Sequence, residues 1–530
     1  MKNIRLPLHI GEHLDQLRAP IIRASGSTDS ERALAALAER SFLNLWSYPN
    51  PYRDQKAFAV GDGKELCDLL VICGDHLIVF SEKTISWPSG EIHIAWSRWA
   101  RRAIASSAKQ MHGAVRWITE HPDRIFLDKD CTQAFPIKIP DVKSLKFHRV
   151  LVARGAEQAC KSYFGNGSGS FVVRPAIKGA AHWTPNALGL APFSIGDLDP
   201  DGSFIHVFDD YSLSVLMKEQ DTISDFTSYL EKREILIRSG RLLEAHGEEN
   251  LLAYYATQIN EKGDHDFVFD GLSFPYLVSR GRYNNYTCDP RYLAKKDADR
   301  ISYLWDTIIE GFTKSMLDGT SLSPDGFEFD LNRSEAGVRY MALESRFSRR
   351  GLGEAFAGAL KKGEQRDCFF RVVLSREEGE AAGTAFFLQT YKYQHWMDDK
   401  GGYEQYRKKR SEIAAVYARG LLERYPNLKR VVGVSREPPN QGRGVSEDLV
   451  YAEQQDWSDQ DRIDIRMDCE ACSVLQNVGP ETVWDGAEFP EVFQMVFDLP
   501  HDRAWQPRVN RKERRAAASK ARKHLRIRRF

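Results

Sequence analysis

The chain has 530 residues, 42% hydrophobic and 28% charged, which is too long for one compact core and points to two or three folded domains. Its formal net charge is zero, yet residues 508–530 hold eleven Lys or Arg against one acid, Glu513, so residues 1–507 carry about −10. That balance excludes a uniformly basic nucleic-acid-binding surface, and no apolar run approaches the ~20 residues of a membrane-spanning helix.

The N-terminus, Met1 to Pro7, lacks the long apolar core of a signal peptide. Eight scattered cysteines suit a reducing compartment, so a cytoplasmic location is expected. Cys469-Glu470-Ala471-Cys472 is a lone CxxC without the second ligand pair of a structural zinc site.

In chain order, Thr28-Asp29-Ser30-Glu31 reads as a capping box. Leu34, Leu37, Ala38, Phe42 and Leu45 follow at helical spacing, with Glu39 at the edge of their stripe. Pro49-Asn50-Pro51 ends that helix. Two apolar runs, 69–73 and 77–80, flank Gly74-Asp75 and predict a β-hairpin covered on both faces. Acids mark its start (Glu65, Asp68), and Glu82-Lys83 mark its end. Charges at the margin of a buried hairpin are costly unless paired, solvated or bound to metal. Side chains alternate between faces, so the turn length decides which of them meet. A two-residue turn sets Asp68 opposite Ser81, with Lys83 on their face and Glu82 on the other. A bulge near Ser81 would be needed for Asp68, Glu82 and Lys83 to converge.

Downstream, 91–96 alternates like a short strand, and a helix is predicted over 97–118. Arg98, Arg101 and Arg102 crowd its first turns, where guanidinium groups could receive phosphates or simply face water. Gln110 borders the inner stripe. A strand over 147–153 completes the first sheet. The loop 165–170 lacks the GKS or GKT ending of a phosphate-binding loop and reads as a turn. A strand over 203–208 runs into Asp209-Asp210, read as a strand end and helix cap. Residues 240–365 look mainly helical, and their arginine-rich segment 341–350 could line a nucleic-acid groove or form a salt-bridged exposed face. Strands at 368–374, 385–391 and 429–435 surround a helix over 403–425 that carries Tyr406-Arg407-Lys408-Lys409-Arg410. The basic tail alternates charge with alanine and reads as disordered or nascent helix available to phosphates.

The hairpin, with Asp68 opening one strand and an acid and lysine closing the next, resembles the core of the PD-(D/E)XK nuclease superfamily. The resemblance covers roughly the first 120 residues. It implies an α/β fold with a restriction-endonuclease-like mixed sheet flanked by helices at 1–155. A mostly helical region (156–365), a small α/β module (366–507) and the tail (508–530) would follow. It also implies a Mg²⁺- or Mn²⁺-dependent endonuclease acting on nucleic-acid phosphodiesters, DNA before RNA, with defence against foreign DNA as a fitting role. Asp68 and Glu82 would ligate the metal with support from Glu65 and Glu39. Lys83 would act on the attacking water, and Gln110 would approach the scissile region. No membrane partner is implied, and self-association is left open. Two departures stand out: Cys67 replaces the Pro before Asp68, and Glu82 is adjacent to Lys83 instead of two residues before it. They support an alternative, a catalytically inactive nuclease-like scaffold that binds nucleic acid or a protein partner. A weaker third reading is a structural adaptor whose basic tail docks on RNA or ribosomes.

Overall fold

The structure is a computed structural model that describes residues 17–55, 62–185, 189–269, 275–322, 330–441, 446–476, 478–479 and 483–490. The basic tail lies outside the described residues. The protein is mixed α/β and divides into two compact units. One comprises Ala19–Thr287 with Met316–Asp318; the other contains Cys288–Ser315 and the described residues from Gly319 onward.

In the first unit, α1 (Asp29–Phe42) starts where the Thr28 side chain accepts the Glu31 N–H. Its buried stripe is Leu34, Ala35, Ala38 and Phe42. A five-stranded sheet follows, formed by β1 (Ser47–Pro49), β2 (Leu69–Cys73), β3 (His76–Thr84), β4 (Lys146–Arg154) and β5 (His206–Phe208) in that spatial order. β1–β2 and β2–β3 pair antiparallel, whereas β3–β4 and β4–β5 pair parallel. The β3–β4 crossover carries α2 (Ile92–Ala100), one wide π turn and α3 (Ser106–Glu120). Residues 91–96 are therefore not the expected strand. Glu91 caps a helix by accepting the N–H groups of His93 and Ile94, and Ala95, Trp96, Trp99 and Ala100 are buried at helical spacing.

α4 (Asp210–Glu219) and α5 (Ile223–Arg238) come next, and Asp209 caps α4 in a reciprocal capping box, as its placement before a helix suggests. Phe226 of α5 packs edge-on against Phe42 of α1 at 5.0 Å and also meets Phe80 of β3, so these helices cover one face of the sheet. Deeper in the unit, Arg233 is 1% exposed and its guanidinium grips Glu248 through Nε and Nη2 at 2.7 and 2.9 Å. A second, four-stranded sheet takes strands from Val172–Lys178, Ser194–Asp197, Leu242–Ala245 and Tyr276–Val278, so the region from 240 is less helical than its composition suggests.

The second unit has a four-stranded sheet in sequence order: Cys368–Leu374, Thr384–Tyr391, Arg430–Arg436 and Glu447–Glu453. The last strand and the helix Asp459–Ala471 extend the module beyond the predicted elements. Alternation along one strand sends Phe387 toward Tyr417 of helix Gly402–Arg424 and Phe386 toward Trp305. The segment 341–350 neither lines a groove nor forms an exposed face. Arg346 and Arg349 are buried against Asp306, and Arg350 is buried against Asp299. Arg410 is likewise fully buried against Asp448, and within 406–410 the exposed charges are Lys408 and Lys409.

Glu344, also fully buried, accepts from Ser348 and Ser375. Burial, reinforced by Glu377 and opposed by those hydroxyls and Arg349, pushes its carboxyl from 4.5 up to about 8. The folded state thus holds this proton more tightly than the unfolded one. Stability from it is full below about pH 4.5 and falls as pH rises toward 8. Glu344→Gln is expected to flatten that decline, read as urea unfolding midpoints between about pH 5 and 8.

Candidate active site

The β2–β3 register runs without a shift from Cys73↔His76 to Leu69↔Phe80. The Gly74-Asp75 turn has two residues, and continuing the ladder sets Asp68 opposite Ser81. Without a bulge, Glu82 and Lys83 must part. Lys83 Nζ donates to Ser106 Oγ of α3 at 3.1 Å, whereas Glu82 Oε2 accepts from Ser30 Oγ of α1 at 2.9 Å. Glu82 is further committed: Thr84 Oγ1 donates to it at 2.8 Å, and Arg154 Nε lies 3.1 Å from Oε1. Arg154 also pairs with Asp210.

Asp68 sits where β2 begins. Its N–H donates to the Phe80 carbonyl at 3.2 Å, and its Oδ2 accepts the Glu82 N–H at 2.5 Å, so the carboxylate extends the ladder by one rung. Burial, opposed by that N–H and joined by repulsion from Glu65, Glu31 and Glu82, lifts its carboxyl from 3.8 to about 7.

The helix α1 brings a different acid to this end of the sheet than the one expected. Glu39 faces Arg23 at 3.0 Å. Glu31 instead shares an amide with Glu65: Asn50 Nδ2 donates to Glu31 Oε2 at 2.9 Å and to Glu65 Oε1 at 2.6 Å. Asn50 holds a left-handed backbone, φ 46°, which Asn tolerates better than most side chains, and its N–H anchors the Asp68 carbonyl at 3.0 Å. Burial weighs against the charged Glu31, but hydrogen bonds from Asn50, Ser27 and Thr28 hold its carboxyl below the usual value. Glu31 and Asn50 were hidden in the sequence as a helix cap and a turn. Among the described residues, Glu31, Glu65, Asp68 and Glu82 do not bring three ligand atoms within 4.8 Å of one another.

The π turn ahead of α3, where the Ser106 N–H reaches the Arg101 carbonyl, sets the face that Lys83 meets. Gln110 is exposed, one helical turn beyond Ser106. Arg98, Arg101 and Arg102 are exposed and pair with no acid among the described residues; Arg101 reaches the Trp183 carbonyl and Thr184. The parting strand end is tightly built. Gly155, φ 98°, follows Arg154 and lets the Ile85 carbonyl come within 2.1 Å of where a Cβ would stand.

Elsewhere in the same unit, residues 166–170 line a cavity of about 380 Å³ with Tyr211, His246, Glu249 and Arg280. Glu249 Oε1 accepts from Ser168 and Asn250, both at 2.9 Å, while its buried Oε2 has no hydrogen-bond partner among the described residues. Ser168 and Glu249 are 81 positions apart, so no local pattern could have joined them. Comparison with known proteins finds no matching family model, no matching curated protein and no matching solved structure.

Proposed function

We propose that the first unit is a metal-dependent nuclease in which Asp68 and Lys83 carry the chemistry and Glu65 and Glu31 supply the further carboxylates. The observation that carries this reading is the shared face of Asp68 and Lys83 at one end of a helix, three-antiparallel-strand, helix, parallel-strand order. The donor set fits Mg²⁺ or Mn²⁺, which take oxygen ligands and retain waters. Asp68, lifted to about 7 by burial first and by the repulsion of Glu65, Glu31 and Glu82 besides, has like charge around it and no cation among the described residues, a condition that a divalent ion relieves. Such an ion, when bound, supplies Lewis-acid activation of a phosphate and a more acidic water. Lys83 would offset charge growing on the phosphoryl oxygens and orient the nucleophile. Arg98, Arg101 and Arg102, which pair with no acid among the described residues, would hold the nucleic-acid backbone, DNA being the first substrate to try, and Gln110 lies one turn from the lysine's contact.

One observation favours the scaffold reading. Glu82, the acid next to the lysine, is spent on Arg154 and Ser30 and faces away from Lys83. Incubating supercoiled plasmid with the full chain and Mg²⁺ or Mn²⁺ separates the two. Cleavage supports the nuclease; a gel shift without cleavage under either ion supports the scaffold. Loss of the shift on deleting 508–530 would assign binding to the tail instead.

A further inference from the structure

The opposite end of the same hairpin carries a second constellation, and it is chemically unlike the first. Among the described residues, one group of three or more metal-ligating side chains brings its donor atoms within 4.8 Å of one another: His76, His148 and Glu231. His76 opens β3, His148 lies in β4, and Glu231 projects from α5. The parallel register pairs His76 with Lys146 and Ile78 with His148, so both imidazoles leave the sheet on one face. That face is covered by α5, whose Phe226 touches Phe80.

The ring nitrogens confront each other: His76 Nδ1 is 3.0 Å from His148 Nε2, with the ring planes 16° apart. Two nitrogen ligands of one tetrahedral zinc ion stand about 3.3 Å apart, given Zn–N bonds of about 2.0–2.1 Å. The pair therefore needs to open by only a few tenths of an ångström. Asp75 Oδ1 lies 3.2 Å from His76 Nε2. A carboxylate beside the outer ring nitrogen is the placement that commonly backs a metal-binding histidine. Two imidazoles with one carboxylate suit zinc and its neighbours in the first transition row better than Mg²⁺.

We propose that His76, His148 and Glu231 bind one divalent transition-metal ion of the zinc class, with Asp75 positioning His76, and that the ion ties β3 and β4 to α5. The site is independent of the nuclease reading, because it lies at the far end of the hairpin and uses none of the same residues.

The test uses the full chain, stripped with chelator and dialysed against Zn²⁺ or Co²⁺. The parent is expected to take up one more equivalent of Zn²⁺ than His76→Gln or Glu231→Gln. Both variants should bind at least about tenfold more weakly, and Asp75→Asn should weaken binding about as much as outer-shell changes do, roughly 10- to 100-fold. Co²⁺ should give the parent a visible d–d absorption that the folded variants lack, and Zn²⁺ should raise the thermal midpoint of the parent alone. Glu231→Gln is nearly isosteric, and circular dichroism establishes that it is folded. Equal metal content and equal Co²⁺ spectra in parent and folded variants would overturn the proposal. So would a parent that takes up no ion, leaving His76 and His148 as a hydrogen-bonded imidazole pair.

Discussion

Lys83→Ala is expected to lower Mg²⁺-dependent plasmid cleavage by about 10²–10³-fold, the cost of removing one preorganised charge from a developing phosphoryl transition state. The single hydrogen bond from Nζ to Ser106 contributes little to folding, so the variant should unfold at nearly the parent's urea midpoint. Asp68→Asn should lose a similar factor, since the amide oxygen can still accept the Glu82 N–H while the charge is gone. Glu82→Gln should behave in the opposite way. It keeps the cleavage rate but loses stability, because its partner Arg154 is left with Asp210 as its one acid among the described residues. A folded Glu82→Gln protein as slow as Lys83→Ala would show that the carboxylates have been assigned wrongly.

A larger loss of stability is expected from Arg233→Met. Its guanidinium holds both oxygens of Glu248, whose Oε1 also accepts from Tyr229 at 2.5 Å, and it lies over the ring of Phe208 at 5.1 Å. Glu248 is 3% exposed, so removing the arginine strands a carboxylate away from water at a cost of about 3–5 kcal/mol. Desolvating both ions offsets much of their attraction. Arg233→Met combined with Glu248→Leu should therefore recover most of that loss. Urea unfolding of the two variants gives the comparison. A single variant within about 1 kcal/mol of the parent would mean that Glu248 takes up a proton or finds water on its own.

The hairpin was legible because its chemistry is local. Apolar runs of strand length around Gly74-Asp75 leave one turn, and parity then divides Glu82 from Lys83. The acid from α1 was not legible: whether Glu31 or Glu39 reaches the sheet end depends on where the helix docks, which its own stripe does not encode. Residues 91–96 misled because six alternating residues fit a strand as well as one face of a helix, and the Glu91 cap decided the matter. The buried arginines were invisible for a different reason. Arg350, Arg349 and Arg410 find their carboxylates 51, 43 and 38 positions away, and an arginine-rich helix reads as exposed until those partners are known.

The close pass at Gly155 has a bearing on how this protein could drift. Two residues past Lys83, the Ile85 N–H donates to the Arg154 carbonyl at 3.1 Å, and the bare α-carbon of 155 makes room for the carbonyl beside it. Any methyl group there meets main chain, which has no rotamer with which to yield. A change at 155 would thus be transmitted along two peptide units to the amine, altering its aim while every side chain around it stayed the same. Inactivating lesions in this unit need not touch a charged residue at all.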